Sequence, residues 1–254
     1  MKIISYNLNG VRAAIKKDLP GWLKSQDADV VCFQELKAQE EQIEKKLFED
    51  LGYNIYAFPA LKKGYSGVAI LSKKIPDHVE FGVKDTTYDD EGRAIRADFG
   101  DISVMSLYLP SGTSGEERQG FKMQFCDFFI GYTKDLLTKR PNLVISGDYN
   151  ICHQAIDIHD PKGNAKSSGF LPEEREWLTK FIAAGFNDSF RIKHPEKIMY
   201  SWWSQRFNSR ANNKGWRIDY NMVSNGLKDR ILDAGIHNDA VHSDHCPISV
   251  EISV

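Results

Sequence analysis

The 254-residue chain is short of the features that would classify it at once. It has four cysteines, Cys32, Cys126, Cys152 and Cys246, spaced far apart and with no CxxC pair. A disulfide framework and a thiolate zinc site are therefore excluded, and reduced thiols in a cytoplasmic protein are expected. No apolar run is long enough to span a bilayer, and the opening Met1-Lys2-Ile3-Ile4-Ser5-Tyr6-Asn7 lacks a basic stretch followed by an apolar one. Neither membrane insertion nor secretion is expected. No GxxxxGK[ST] loop occurs, since Gly112-Thr113-Ser114-Gly115 lacks the lysine; nucleotide hydrolysis of that type is excluded, and no nucleotide cofactor is expected. Nor is there an excess of either charge: 33 Lys and Arg against 35 Asp and Glu, a net charge of -2, rule out a polycationic nucleic-acid coat but leave room for a local basic face. Internal repeats, low-complexity segments and linkers are absent, and the length allows one domain or two small ones.

What is present is an alternation of short apolar runs with amphipathic helical stretches, the pattern of a layered α/β protein. Strands are expected at 2–7, 29–34, 53–58, 67–72, 94–99, 102–109, 142–147, 217–223, 231–236 and 247–252. Several are only one turn apart, so some pairs must be antiparallel. Helices are expected over 40–51, with Ile43, Leu47 and Leu51 on one face and Gly52 as the stop, and over 116–139 and 172–184. Their apolar stripes read as core. Charge is unevenly distributed: from Arg191 to Arg217 seven basic residues face one acid, Glu196, with Tyr200, Trp202, Trp203, Phe207 and Trp216 among them. Such a segment suits a phosphate backbone with stacked bases, and it equally suits a core Trp pair ringed by solvated charges.

The informative residues stand where apolar runs end. Ile3 to Tyr6 ends in Asn7, Val30 to Gln34 in Glu35, Val104 to Tyr108 in Leu109-Pro110-Ser111, Leu143 to Gly147 in Asp148-Tyr149-Asn150, and Trp216-Arg217-Ile218 runs into Asp219. In a layered α/β fold the strand ends carry ligands, whereas each such residue taken alone has a bland reading as a cap or turn. Among the histidines, His78, His153, His159, His194, His237 and His242 are expected at the surface. His245 lies between Asp244 and an apolar strand, where a carboxylate can set its tautomer and a phosphate oxygen can meet it. The oxygens of Glu35, Asp148 and Asp244 and the amides of Asn7 and Asn150, with no Cys/His cluster, favour a hard cation: Mg²⁺, with Mn²⁺ as substitute.

In order along the chain, Tyr6-Asn7-Leu8-Asn9-Gly10-Val11-Arg12-Ala13, Phe33-Gln34-Glu35-Leu36-Lys37, Gly64-Tyr65-Ser66-Gly67-Val68-Ala69, Leu107-Tyr108-Leu109-Pro110-Ser111-Gly112, Gly147-Asp148-Tyr149-Asn150, Gly215-Trp216-Arg217-Ile218-Asp219-Tyr220 and Ser243-Asp244-His245-Cys246-Pro247 strongly resemble the exonuclease III / apurinic-apyrimidinic (AP) endonuclease family. The stretch from Ile156 to Asn164 looks like the branch that includes the main human enzyme. The resemblance implies a four-layered α/β sandwich, two packed mixed β-sheets flanked by helices (DNase I-like), in one domain over 1–254. It implies that Glu35 holds Mg²⁺ with Asn7 and Asp244, that Asp148 orients or deprotonates the attacking water beside Asn150, and that His245, held by Asp219, binds the scissile phosphate. Tyr108 would meet the phosphate or the leaving group, and Asn164 would be a further phosphate contact near Lys162. Phe207, Trp216 and Ile218 would form the pocket for a sugar without a base, and Arg206 would stand near the side chain that enters the helix.

The implied activity is hydrolysis of the phosphodiester 5′ to an abasic site in duplex DNA, with 3′ to 5′ exonuclease and 3′-phosphatase activity at blocked 3′ ends, by a monomer. The alternatives are a principally 3′ to 5′ exodeoxyribonuclease and a catalytically silent damaged-DNA-binding module. Asn9 stands where human-type members have an acid near the metal, and Ser111 and Ser167 replace amides.

Overall fold

Residues 1–254 are described by a computed structural model. The apolar runs form strands because most are buried on both faces, which favours continuous β-branched sequence over alternation. In β1 (Lys2–Asn7) and β2 (Val30–Gln34), Ile3, Val30 and Cys32 face one way and Ile4, Val31 and Phe33 the other, all fully or almost fully buried. The first sheet continues through β3 (Asn54–Phe58), β4 (Val68–Ser72), β13 (Ile231–Ile236) and β14 (Ile248–Ile252), in the order β13-β14-β1-β2-β4-β3. The second holds β5 (His78–Phe81), β6 (Ala94–Phe99), β7 (Ile102–Tyr108), β8 (Asn142–Asp148), β9 (Phe186–Asp188) and β12 (Asp219–Ser224), in the order β5-β6-β7-β8-β12-β9. A hairpin of β10 (Trp202–Trp203) and β11 (Gly215–Trp216) stands apart.

Ile3, Val30, Val68 and Ile70 of the first sheet meet Ile95, Val104, Val144 and Val223 of the second in the central core. The outer face of the first sheet packs on α1 (Val11–Ile15), α2 (Leu19–Gln26) and α3 (Lys45–Glu49). That of the second is covered by α4 (Thr86–Asp89), α5 (Glu116–Lys139) and α6 (Pro172–Ala183), while α7 (Ser189–Lys193) packs Phe190 beside the first sheet's edge. The four layers follow, as expected.

Each sheet has one parallel pair, β1 with β2 and β7 with β8. Parallel pairing brings carboxyl ends together: Asn7 opposes Gln34 and Tyr108 opposes Asp148. At that end the sheets are tied by polar groups, with Ser5 Oγ donating to Gln34 Oε1 (3.2 Å) and Gln34 Nε2 to Ser106 Oγ (2.9 Å). β12 enters antiparallel beside β8, placing Asp219 opposite Asp148.

The helix expected over 40–51 is broken. Glu40–Gln42 is a 3₁₀ turn whose Gln42 Oε1 accepts from the Gln39 backbone, Ile43 is extended with φ -90, and α3 restarts at Lys45. Local side-chain hydrogen bonding thus competes with the helix that periodicity alone suggests. β5, β9, α1, α2, α4 and α7 escape the sequence patterns because they are short or carry polar residues at solvent-facing positions. His242 is also not at the surface: it is 7% exposed, wedged against Tyr6 and Trp22.

Candidate active site

A cleft of about 400 Å³ opens at the shared strand ends, lined among others by Glu35, Tyr108, Asp148, Asn150, Asp244 and His245. On its floor, Asp219, His245 and Asp148 stand in line. His245 Nδ1 is 2.9 Å from Asp219 Oδ2, and Nε2 is 3.8 Å from Asp148 Oδ2. Ser201 Oγ donates to Asp219 Oδ2 (2.6 Å), and all three residues of the line are buried. Asp148 in turn accepts from Asn7 Nδ2 (2.8 Å), the Asn150 backbone N–H (2.8 Å) and Asn150 Nδ2 (3.3 Å). Asn150 reaches back because its φ is 52, a left-handed conformation that a local Asx hydrogen bond helps to hold.

The electrostatics follow from burial and charge. Removal from water, and then the Asp219 charge, push the Asp148 carboxyl up to about 7. Burial disfavours charge on His245, but Asp219 outweighs it, with Asp148 and Asp244 adding to the effect, and the imidazole rises to about 10. The ring is an imidazolium at neutral pH. Its Nδ1 proton goes to Asp219, leaving Nε2–H directed at the cleft side. Burial, then the charge of Glu35, holds the Tyr108 phenol well above its ordinary range, while the Arg93 guanidinium lies 4.8 Å from its ring centre.

The nearest ligating atoms of Asp148, Asp219 and His245 all lie within 4.8 Å of one another. Such a group could hold a metal ion, and because His245 and Asp219 share a charged hydrogen bond it also forms a proton-handling line. Cation chemistry also fits the other carboxylates that line the cleft, Glu35 and Asp244. Glu35 there already attracts an ammonium, Lys37 Nζ at 2.9 Å. Asp244 accepts from Asn9 Nδ2 (2.9 Å) and Trp202 Nε1 (3.1 Å), which lower its carboxyl against the cost of burial, as does His245.

The fold therefore brings together Tyr108, Asp148, Asn150, Glu35, Asp244, His245, Trp216 and Ile218, with Asn7 and Asp219 directly behind. Asn164, Lys162 and Arg206 are not on the cleft wall. Asn164 Nδ2 is spent on the His159 and Asp160 carbonyls, both at 3.0 Å. Phe207 requires correction: it is 91% exposed on the loop between β10 and β11, and it does not line the cleft. The aromatic wall is Trp202, which meets Trp216 edge-on at 5.9 Å. Alternation along a strand sends adjacent residues to opposite faces, so of the Trp202-Trp203 pair one faces the cleft and the other is core. Of the aromatics in the basic segment, Trp203 is core, while Trp202 and Trp216 line the cleft. Gly169 completes this corner with φ 96, where a Cβ would come 2.9 Å from the Trp216 ring.

Residues 4–245 match the endonuclease/exonuclease/phosphatase family. The chain belongs to that family. It is 43% identical over 256 residues to an exodeoxyribonuclease of Bacillus subtilis (strain 168), covering 100% of both chains. It is 39% identical over 257 residues to the DNA repair nuclease APEX1 of Danio rerio, covering 100% of this chain and 83% of the relative. An AP endonuclease structure from Archaeoglobus fulgidus superposes with a TM-score of 0.93 at 29% identity and full coverage of both chains. The two packed mixed sheets are those of this family.

Proposed function

We propose that the protein is a DNA repair nuclease that hydrolyses the phosphodiester 5′ to an abasic site in duplex DNA and acts on 3′ ends as exonuclease and phosphatase at the same centre. The observation that carries this reading is the buried Asp219–His245–Asp148 line facing a cleft with acidic oxygens on one wall and an apolar corner on another. The family, and relatives named as exodeoxyribonuclease, DNA repair nuclease and AP endonuclease, support it.

In this reading Asp148, poised near neutrality and aligned by Asn7 and Asn150, takes the proton of the water that attacks phosphorus. The new O–P bond forms as the bond to the 3′-oxygen breaks, and that oxygen takes a proton from solvent or from the Tyr108 phenol, leaving a 3′-hydroxyl and a 5′-deoxyribose phosphate. The His245 imidazolium, kept charged and oriented by Asp219, balances charge gathering on the phosphoryl oxygens. Tyr108 stands on the cleft wall to meet the phosphate or the leaving oxygen. Trp202, Trp216 and Ile218 receive a sugar without its base, an extrusion that costs less than flipping an intact nucleotide. Asn164, Lys162, Arg206 and the exposed Phe207 lie outside the cleft, where a duplex flank would meet them. A hard divalent cation, Mg²⁺ with Mn²⁺ as substitute, suits the oxygens of Glu35, Asp244 and Asp148 with the carboxamides of Asn7 and Asn150, and would supply charge neutralisation at the phosphate. A monomer in the cytoplasm is proposed. No helix is long and apolar enough to cross a membrane.

A 5′-labelled duplex with one tetrahydrofuran abasic analogue tests the reading. A single Mg²⁺-dependent nick immediately 5′ to the lesion, abolished by EDTA, is expected; a ladder from the 3′ end with no nick would make the protein chiefly an exonuclease, and intact duplex would point to the silent binding module. Glu35→Ala is expected to raise the Mg²⁺ concentration for half-maximal cleavage by on the order of tenfold or more. An unchanged titration would remove Glu35 from the cation site.

A further inference from the structure

Lys37 lines the cleft and has no part in the chemistry above. Its backbone and that of Glu35 are both left-handed, with φ 48 and 56, and the segment is pinned on both sides. The Gly10 N–H donates to the Glu35 carbonyl (2.9 Å), Leu36 N–H to Gly67 (3.1 Å) and Lys37 N–H to Ser66 (2.9 Å), with Leu36 buried between them. Two successive departures from ordinary backbone around one anchored leucine are costly and mark a segment held for a purpose. Their result is a chain of linked polar groups from Glu35 to Asp244. Lys37 Nζ is 2.9 Å from Glu35 Oε1 and donates to Asn9 Oδ1, while Asn9 Nδ2 donates to Asp244 Oδ1 at 2.9 Å. An asparagine can bridge an ammonium and a carboxylate because it has an acceptor and a donor; an aspartate at position 9 has only acceptors.

We propose that Lys37 is a resident counter-cation of the Glu35–Asp244 oxygen wall and competes with the divalent ion for it. The inference rests on the assignment of that wall to a cation. The ammonium keeps Glu35 paired when no divalent ion is bound, and an entering ion must displace it. Apparent affinity is then reduced by the fraction of time the ammonium occupies Glu35. Lys37, with 36% of its side chain exposed, has solvent at the cleft mouth to move into. Asn9 completes the device by handing the ammonium's position on to Asp244.

The test is Mn²⁺ binding to the full, DNA-free chain, read by the loss of the free-ion electron paramagnetic resonance signal. Lys37→Met is expected to bind Mn²⁺ about tenfold more tightly than the native protein, corresponding to an ammonium in place roughly nine-tenths of the time. Lys37→Arg, which keeps a cation there, is expected within about twofold of the native protein. Equal or weaker binding by Lys37→Met overturns the proposal and makes the lysine a contact for DNA phosphate or a brace for Glu35. Glu35→Ala separates this from failure of the cation assignment: if it binds Mn²⁺ as the native protein does, the wall is not the cation site and the premise falls. Far-ultraviolet circular dichroism and the urea midpoint of each variant confirm that its fold is retained.

Discussion

Asp148→Asn is expected to lower the single-turnover rate of abasic-site cleavage by about a thousandfold or more, the scale of a general base removed from a positioned site. Affinity for the uncleaved duplex should change by less than about threefold, because Asp148 lies at the cleft floor, behind the surface a duplex would meet, and acts in the transition state. Two physical reasons combine. The amide cannot take a proton from water, and its NH₂ must face a donor: Asp148 Oδ1 accepts from the Asn150 backbone while Oδ2 accepts from Asn7 and Asn150 side chains. His245→Ala is expected to lose most turnover with binding retained as well, since it removes the imidazolium that Asp219 holds at 2.9 Å. Fluorescence anisotropy with a tetrahydrofuran duplex in EDTA gives binding, and quenched-flow cleavage gives the rate. Parallel losses in both would show that these residues dock DNA and do not drive the chemistry.

The second large effect concerns stability. Asp157 is fully buried, and its Oδ1 accepts from Arg217 Nε (2.8 Å) and from Arg191 Nη2, while Oδ2 accepts from the Gln154 backbone (2.9 Å). Arg217, itself buried, reaches Asp188 Oδ2 at 2.7 Å. Asp157→Asn leaves the buried Arg217 with Asp188 as its one carboxylate partner and Arg191 with only the His194 and Lys197 carbonyls, and a loss of about 3–5 kcal/mol is expected. Burial works against the Asp157 charge, but Arg217 and then Arg191 outweigh it, so its carboxyl sits below the usual range. A lowered folded-state value stabilises above the unfolded value of about 4 and is lost as pH falls through the folded one. Urea midpoints should therefore differ widely between native and variant at pH 7, and the gap should begin to close only below about pH 4, narrowing as pH falls through the folded-state value. A gap that stays constant with pH would assign the loss to packing. The consequence reaches the cleft, because the Arg217 N–H donates to the Asp157 carbonyl (2.7 Å) between the wall residues Trp216 and Ile218.

Much of this was legible in the residues. Strands such as 2–7, 94–99 and 231–236 are where expected, since a run apolar at successive positions must be buried on both faces wherever its partners lie. The candidate residues Asn7, Glu35, Asp148, Asp219 and His245 were visible as costly polar groups at the ends of such runs, and their family resemblance named their roles. Phe207 and Trp202 could not be told apart, because the hairpin that turns one into solvent and the other into the cleft exists only through pairing of Trp202 with Trp216. His242 looked like a surface residue until Tyr6 and Trp22, far away in sequence, closed over it. Local order of apolar and polar residues sets strands and strand ends, since burial and backbone pairing are decided within a few residues. The charge states at the cleft, an imidazolium at 245, a carboxyl near neutrality at 148 and an ammonium seated on Glu35, depend on distances between side chains of different strands and loops. Those distances come from lateral strand order and the stacking of two sheets, and Coulomb interactions and desolvation at that range leave no trace in sequence spacing.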